Sequence, residues 1–295
     1  MSLSPDQVDE FRRTGFTIAR QVLTAADLQP VIDELCDFID RRARELKAEG
    51  KIDDIHADAP FETRYGLIFK QSREINSGMD IMQLRGKAMF EFLRNDNLLD
   101  MIESLVGPEI TCNPIQHVRA KPPASFEEGG SGFHNVPWHQ DAGVMMPEAE
   151  DSDVITFWLP LGDANEENGC MWVVPDVRST GYLKHQPGGA GTHIRPELMP
   201  ETEPVAAACT KGDIVILDKF TPHHSKPNQS AICRWSLDLR YQPTGHHTGR
   251  TGHPDFVARS AADPNSVLRD HDTWCTRWVD ALENSRGTVM HRNDG

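Results

Sequence analysis

No stretch of this 295-residue chain approaches the run of about 20 apolar residues that crosses a bilayer, so a transmembrane helix is not expected. Residues 1–13 lack the apolar core of a secretory signal, and export is not expected either. Basic residues are scarce beside acidic ones: 30 Lys and Arg against 45 Asp and Glu, a net charge of −15. That balance repels phosphate backbones and anionic lipid, which speaks against nucleic-acid or membrane-surface partners. Paired cysteines are missing too. Six are spread singly, at 36, 112, 170, 209, 233 and 275, with no CxxC, which argues against a zinc ribbon or a redox dithiol. They read as inert thiols in a reducing compartment, the cytoplasm. No internal repeat or low-complexity tract is visible.

What is present falls into two textures. The first 110 residues read as mainly helical. Ser4-Pro5-Asp6 starts one helix, and Thr24 caps another whose Leu28, Val31, Ile32, Leu35 and Phe38 form one apolar stripe. Between them, residues 16–18 read as a short strand. A third helical stretch runs over 88–105 and stops at Gly107-Pro108. From about residue 110, short β-like runs follow one another at 115–120, 154–161, 170–174, 205–209, 213–217 and 231–241. Strands without intervening helices predict an antiparallel sandwich or barrel. Two Gly- and Pro-rich segments, 122–137 and 182–204, read as loops walling the mouth of a site. Residues 245–252 read as irregular polar chain, and 274–282 as a short helix that packs its two tryptophans on the body.

Thirteen histidines make most of them background. One arrangement carries chemistry: His139-Gln140-Asp141. On extended chain, residues i and i+2 share a face, so an imidazole and a carboxylate converge there. Alone, that triplet is a weak signal. Downstream, Thr221-Pro222-His223-His224-Ser225 offers a third ligand from another strand. Two histidines and one carboxylate leave three positions open, the facial triad of non-haem Fe(II) oxygenases. Arg234 lies on the next strand, where a planar guanidinium can grip the far carboxylate of a dicarboxylate co-substrate.

These features together resemble the phytanoyl-CoA dioxygenase family of Fe(II)- and 2-oxoglutarate-dependent oxygenases, which includes ectoine hydroxylase. The resemblance rests on Trp138-His139-Gln140-Asp141, Glu167-Asn168-Gly169-Cys170 with Pro175, Lys211-Gly212-Asp213, then His223, Ser225, Asn228 and Arg234. The opening Leu3-Ser4-Pro5, with Phe11 before Gly15-Phe16, also fits. The resemblance implies a mainly β fold with flanking helices, the double-stranded β-helix or cupin-like jelly-roll barrel. It implies one dioxygenase domain over 1–295, with a helical flank (1–110), a jelly-roll core (111–242) and a C-terminal tail and helix (243–295). It assigns iron to His139, Asp141 and His223, and 2-oxoglutarate to Arg234 and Ser225, with Gln116 and Trp158 as co-substrate walls. The family spacing selects His223 over its neighbour His224.

The expected activity is oxidation of a small-molecule C–H bond, usually hydroxylation, using Fe(II), 2-oxoglutarate and O₂ and releasing succinate and CO₂. The related halogenases lack the carboxylate that Asp141 supplies, which disfavours halogenation. A monomer or homodimer is expected. Two rival classes are a zinc hydrolase and a barrel that binds a ligand without turnover. No basic run marks a CoA-phosphate site. Histidines 134, 185, 193, 246 and 247 read as solvated loop residues; Arg240, six residues after Arg234, shares its strand face, where it could meet a substrate anion, but reads rather as a surface or core-edge ion pair.

Overall fold

Two reciprocal caps open the chain. Ser4 accepts the Gln7 N–H while Gln7 accepts that of Ser4, launching α1 (Pro5–Thr14), which ends at Gly15 in the left-handed region at φ 76°. After β1 (Phe16–Ala19), Thr24 and Asp27 repeat the device for α2 (Ala25–Ala48). The buried stripe of α2 is the one the spacing predicts, continued through Ile39, Ala43 and Leu46. The computed structural model describes residues 2–127, 135–177, 180–188, 191–286, 292 and 294.

Further helices are α3 (Phe61–Gln71), α4 (Ile81–Leu84), α5 (Lys87–Phe92) and α6 (Asp96–Val106). The single helix expected over 88–105 is therefore two. Asn95 caps the second by accepting the Leu98 N–H at 3.1 Å, and a capping side chain marks a start rather than an interior. Sequence reasoning also missed α3.

The strands are β2 (Glu109–Cys112), β3 (His117–Lys121), β4 (Ile155–Pro160), β5 (Met171–Val173), β6 (His185–Gly188), β7 (Gly191–Ile194), β8 (Val205–Ala207), β9 (Ile214–Asp218), β10 (His223–Ser225), β11 (Arg234–Pro243) and β12 (Phe256–Ser260), before α7 (His271–Asn284). All pairings between them are antiparallel. One sheet runs β1-β9-β4-β11-β2-β12, with β3 also paired to β11, and a smaller one runs β10-β5-β8. This is the jelly-roll arrangement with flanking helices that the sequence implies.

The strand β11 organises the molecule. Trp235, Leu237, Leu239 and Tyr241 join one large cluster with the helices, whereas Arg234, Ser236, Arg240 and Gln242 are buried on the opposite, interior face. Trp158, Val173, Val215 and Leu217 fill the space between the two sheets. The Trp274 and Trp278 side chains of α7 are buried as expected.

Several loop expectations need correction. Within 182–204, β6 and β7 pair as a hairpin, Gly188 facing Gly191, because two extended arms flank the glycine-rich tip. The strand β12 follows the irregular 245–252 segment, in which Thr248 and Arg250 are buried rather than solvated. Residues 128–134 of the first loop, His134 among them, lie outside the described residues. The described helices include none long and apolar enough to cross a membrane. All six cysteines are free thiols.

Candidate active site

His139 and His223 are held face to face by main chain. Each donates its N–H to the other's carbonyl, at 3.0 and 2.9 Å, which ties the 139–141 segment to β10. In both rings Nδ1 lies 3.0 Å from a carbonyl two residues upstream, Pro137 O for His139 and Thr221 O for His223. A carbonyl can only accept, so in both rings Nδ1 carries a hydrogen and Nε2 is the atom left to ligate. The two Nε2 atoms each stand 4.0 Å from Asp141 Oδ1. One ligand atom from each of His139, Asp141 and His223 can be chosen so that all lie within 4.8 Å of one another. His224, on the opposite side of β10, stacks on Trp138 at 3.9 Å between ring centroids.

Asp141 is fully buried. Its Oδ1 accepts a hydrogen bond from Arg240 Nη2 at 2.5 Å, and its Oδ2 accepts one from the Thr156 hydroxyl. Burial works against the carboxylate charge, but the Arg240 guanidinium, with the Thr156 hydrogen bond, outweighs it and holds the group well below the usual carboxylate range. Burial, reinforced by His223, pushes His139 down to about 3, so its ring is neutral at physiological pH and able to ligate. Arg240 corrects the sequence expectation. It is neither a surface nor a core-edge pair; its even spacing from Arg234 turns it inward along β11, onto Asp141.

Gln140, between the two site residues, is pinned from three sides. Its side chain donates to Gly181 O and Phe220 O and accepts from Leu183 N, while its own N–H donates to His185 Nε2 at 3.0 Å. His185 is thus buried and structural, not the solvated loop residue expected from its Pro- and Gly-rich surroundings. A Cβ added at Gly143 would stand 2.7 Å from His185 Nε2, so the turn after Asp141 has no room for one.

The second part of the interior is basic. Arg234 is buried, lies 5.2 Å above the Trp158 ring, and donates from Nη1 to Ser236 Oγ at 2.6 Å, while its Nε has no partner. Its register partner on β3 is Lys121, also buried, which donates from Nζ to Ser225 Oγ at 2.7 Å and to Lys226 O at 2.6 Å. Among the described residues no carboxylate pairs with either basic group. Burial lowers Arg234 to about 10, and burial with the nearby Arg234 charge lowers Lys121 to about 6. A buried guanidinium without an anion is unfavourable, and an anionic ligand relieves it and favours the protonated form of Lys121. Gln116 braces the chain here: its amide donates to Asn113 O and Arg240 O, and its oxygen accepts from Arg240 N.

Sequence reasoning missed Lys121, Thr156 and His185. The alternation along 231–241 could have placed Arg240 indoors. Lys121 and Thr156 become neighbours of the site only through cross-strand register, which a single sequence does not print.

The family model described as phytanoyl-CoA dioxygenase matches residues 11–236. A phytanoyl-CoA dioxygenase domain-containing protein 1 homolog of Dictyostelium discoideum is 23% identical over 267 residues, covering 82% of this chain and 92% of its own. The solved non-heme monooxygenase ThoJ superposes with a TM-score of 0.66 at 18% identity, covering 96% of this chain and 100% of that one. The epimerase SnoN, solved with Fe³⁺, alpha ketoglutarate and nogalamycin RO, gives 0.56 at 21% identity, with 90% and 93% covered. The two structures share the fold. With the family match running from α1 into β11, the chain belongs to the phytanoyl-CoA dioxygenase family.

Proposed function

We propose that this protein is an Fe(II)- and 2-oxoglutarate-dependent dioxygenase that hydroxylates a C–H bond of a small molecule and releases succinate and CO₂. The observation that carries the reading is the buried, anion-free pair Arg234 and Lys121 sharing one interior with the His139–Asp141–His223 cluster. The donor set fits the metal: two imidazoles and one carboxylate, each offering a ligand atom within 4.8 Å of the others, are the ligand types that would hold Fe(II) in a facial triad. Arg234 fits the far carboxylate of 2-oxoglutarate through its fork, with Ser225 and Lys121 supplying further donors and Trp158 flooring the site. Bound iron supplies oxygen activation coupled to 2-oxoglutarate decarboxylation. The chain supplies the rest. Its histidines and Asp141 fix the metal's orientation, its cations fix the co-substrate's, and its apolar inter-sheet residues keep bulk water from the reacting atoms.

A zinc hydrolase would use the same three ligands but would leave Arg234 buried without an anion, and a binding barrel would not need the clustered ligands. The substrate belongs to neither a nucleic acid nor a membrane in this reading, and the free thiols suit the cytoplasm. The test is decarboxylation of 2-oxoglutarate without added substrate. Fe(II) with ascorbate should support it, Zn²⁺ should not, and failure with both metals would remove the oxygenase reading.

A further inference from the structure

Neither imidazole satisfies Asp141 by a hydrogen bond: each Nδ1 is committed to a carbonyl, Pro137 O or Thr221 O, and each Nε2 stands 4.0 Å from Oδ1. The donors that reach the carboxylate are Thr156, on Oδ2, and Arg240, on Oδ1. Arg240 is itself buried, donates to Ile115 O at 3.1 Å, and lies 3.4 Å from the half-buried Asp238. Thus one guanidinium answers two carboxylates, and the oxygen it holds is the one aimed between the histidines.

We propose that Arg240 is the positioning residue of the metal site, a resident cation that holds Asp141 Oδ1 aimed at His139 and His223 whether or not a metal is bound. This rests on reading those three residues as metal ligands. A carboxylate oxygen has room for both partners, so Arg240 and a metal share Asp141 rather than exchange it. Removing Arg240 leaves the carboxylate buried without a cation, a defect that a divalent metal repairs. An ordinary structural ion pair would show no such dependence.

The experiment is thermal unfolding of the chelator-stripped full chain, with and without saturating Mn(II), a redox-quiet stand-in for Fe(II). The variants are Arg240→Met, Arg240→Lys and the double variant Arg240→Met with Asp141→Asn. Without metal, Arg240→Met should unfold about 10 °C below wild type. Mn(II) should recover most of that loss, so its stabilising shift exceeds the wild-type shift. Arg240→Lys should fall between them. The double variant, lacking both charges, should regain most of the metal-free stability and lose the Mn(II) response.

Equal losses with and without Mn(II), or no loss, would overturn the role of Arg240 while leaving the metal reading intact. A wild-type chain indifferent to Mn(II) would overturn both. Should Arg240→Met not fold without metal, the double variant decides: recovery supports the proposal, and continued failure to fold overturns it.

Discussion

Arg234 and Lys121 show how a buried charge reads as a missing partner. Each hydrogen bond to a charged group contributes roughly 1.5–3 kcal/mol. Losing two in Arg234→Leu, about 3 kcal/mol or more, should raise the apparent 2-oxoglutarate constant at least about a hundredfold, since about 1.4 kcal/mol is tenfold. Arg234→Lys should recover only part, because a point charge lacks the planar fork. A 2-oxoglutarate titration of the three proteins checks this, and equal constants would end the assignment. For Lys121 the sign can be worked out. Its folded pKa of about 6 lies below the ordinary 10.5, so between those values the unfolded chain holds a proton that the folded chain has released. Stability therefore rises with pH across that window, and below about 6 this dependence disappears. The difference in melting temperature between wild type and Lys121→Met should widen in favour of wild type from pH 6.5 to 8.5. A dicarboxylate beside Lys121 should restore its proton, and calorimetry in buffers of different ionisation enthalpy should show uptake in wild type and less in Lys121→Met. Of the adjacent histidines, His223→Ala should lose Mn(II) binding by titration and His224→Ala should keep it, because only His223 faces Asp141.

At the scale of elements, β11 joins the two halves of the molecule. Trp235 stacks on Phe61 at 4.7 Å and meets Tyr65 edge-on at 5.1 Å, so α3 is clamped to the outer face of the strand whose inner face carries Arg234. Trp235→Ala should destabilise by about 3–5 kcal/mol, and denaturant unfolding measures it. The alternation of β11 was legible in the sequence, as were the caps at Ser4 and Thr24, because each is a local pattern of neighbouring residues. So was the convergence of His139 and Asp141, which needs only two-residue spacing. The break at Asn95, the hairpin β6–β7 and the strand β12 were not legible. The hairpin is a local pairing that its Pro- and Gly-rich composition hides, whereas distant contacts bear on the other two: Asn95 also donates to Asp27 at 2.7 Å, and β12 exists because β2 offers it an edge. Lys121 belongs to the same class, since its partners are more than 100 residues away.

For the whole molecule, the helices are not ornament on a finished barrel. The strand β1, from the opening of the chain, pairs with β9 along four residues, and the helices cover Trp235, Leu237, Leu239 and Tyr241. A chain begun at residue 110 loses both and exposes that apolar face. It should aggregate or fail to show a cooperative transition, and a sharp two-state melt by circular dichroism would contradict this. The net charge of −15 acts at the same scale, keeping the exterior acidic while Arg234 and Arg240 hold positive charge indoors.

The two-faced strand also limits how this fold can change. Trp235 to Tyr241 serve an oily exterior layer on odd positions and a charged interior on even ones. Deleting one residue, Leu237 for instance, would not shift the active site slightly; beyond the deletion every side chain would trade sides, sending Arg240 among the helices and Tyr241 toward the metal. No half-step exists between the two arrangements. Variation within 234–243 is therefore confined to substitution, position by position, and a library of single deletions there should yield no soluble protein.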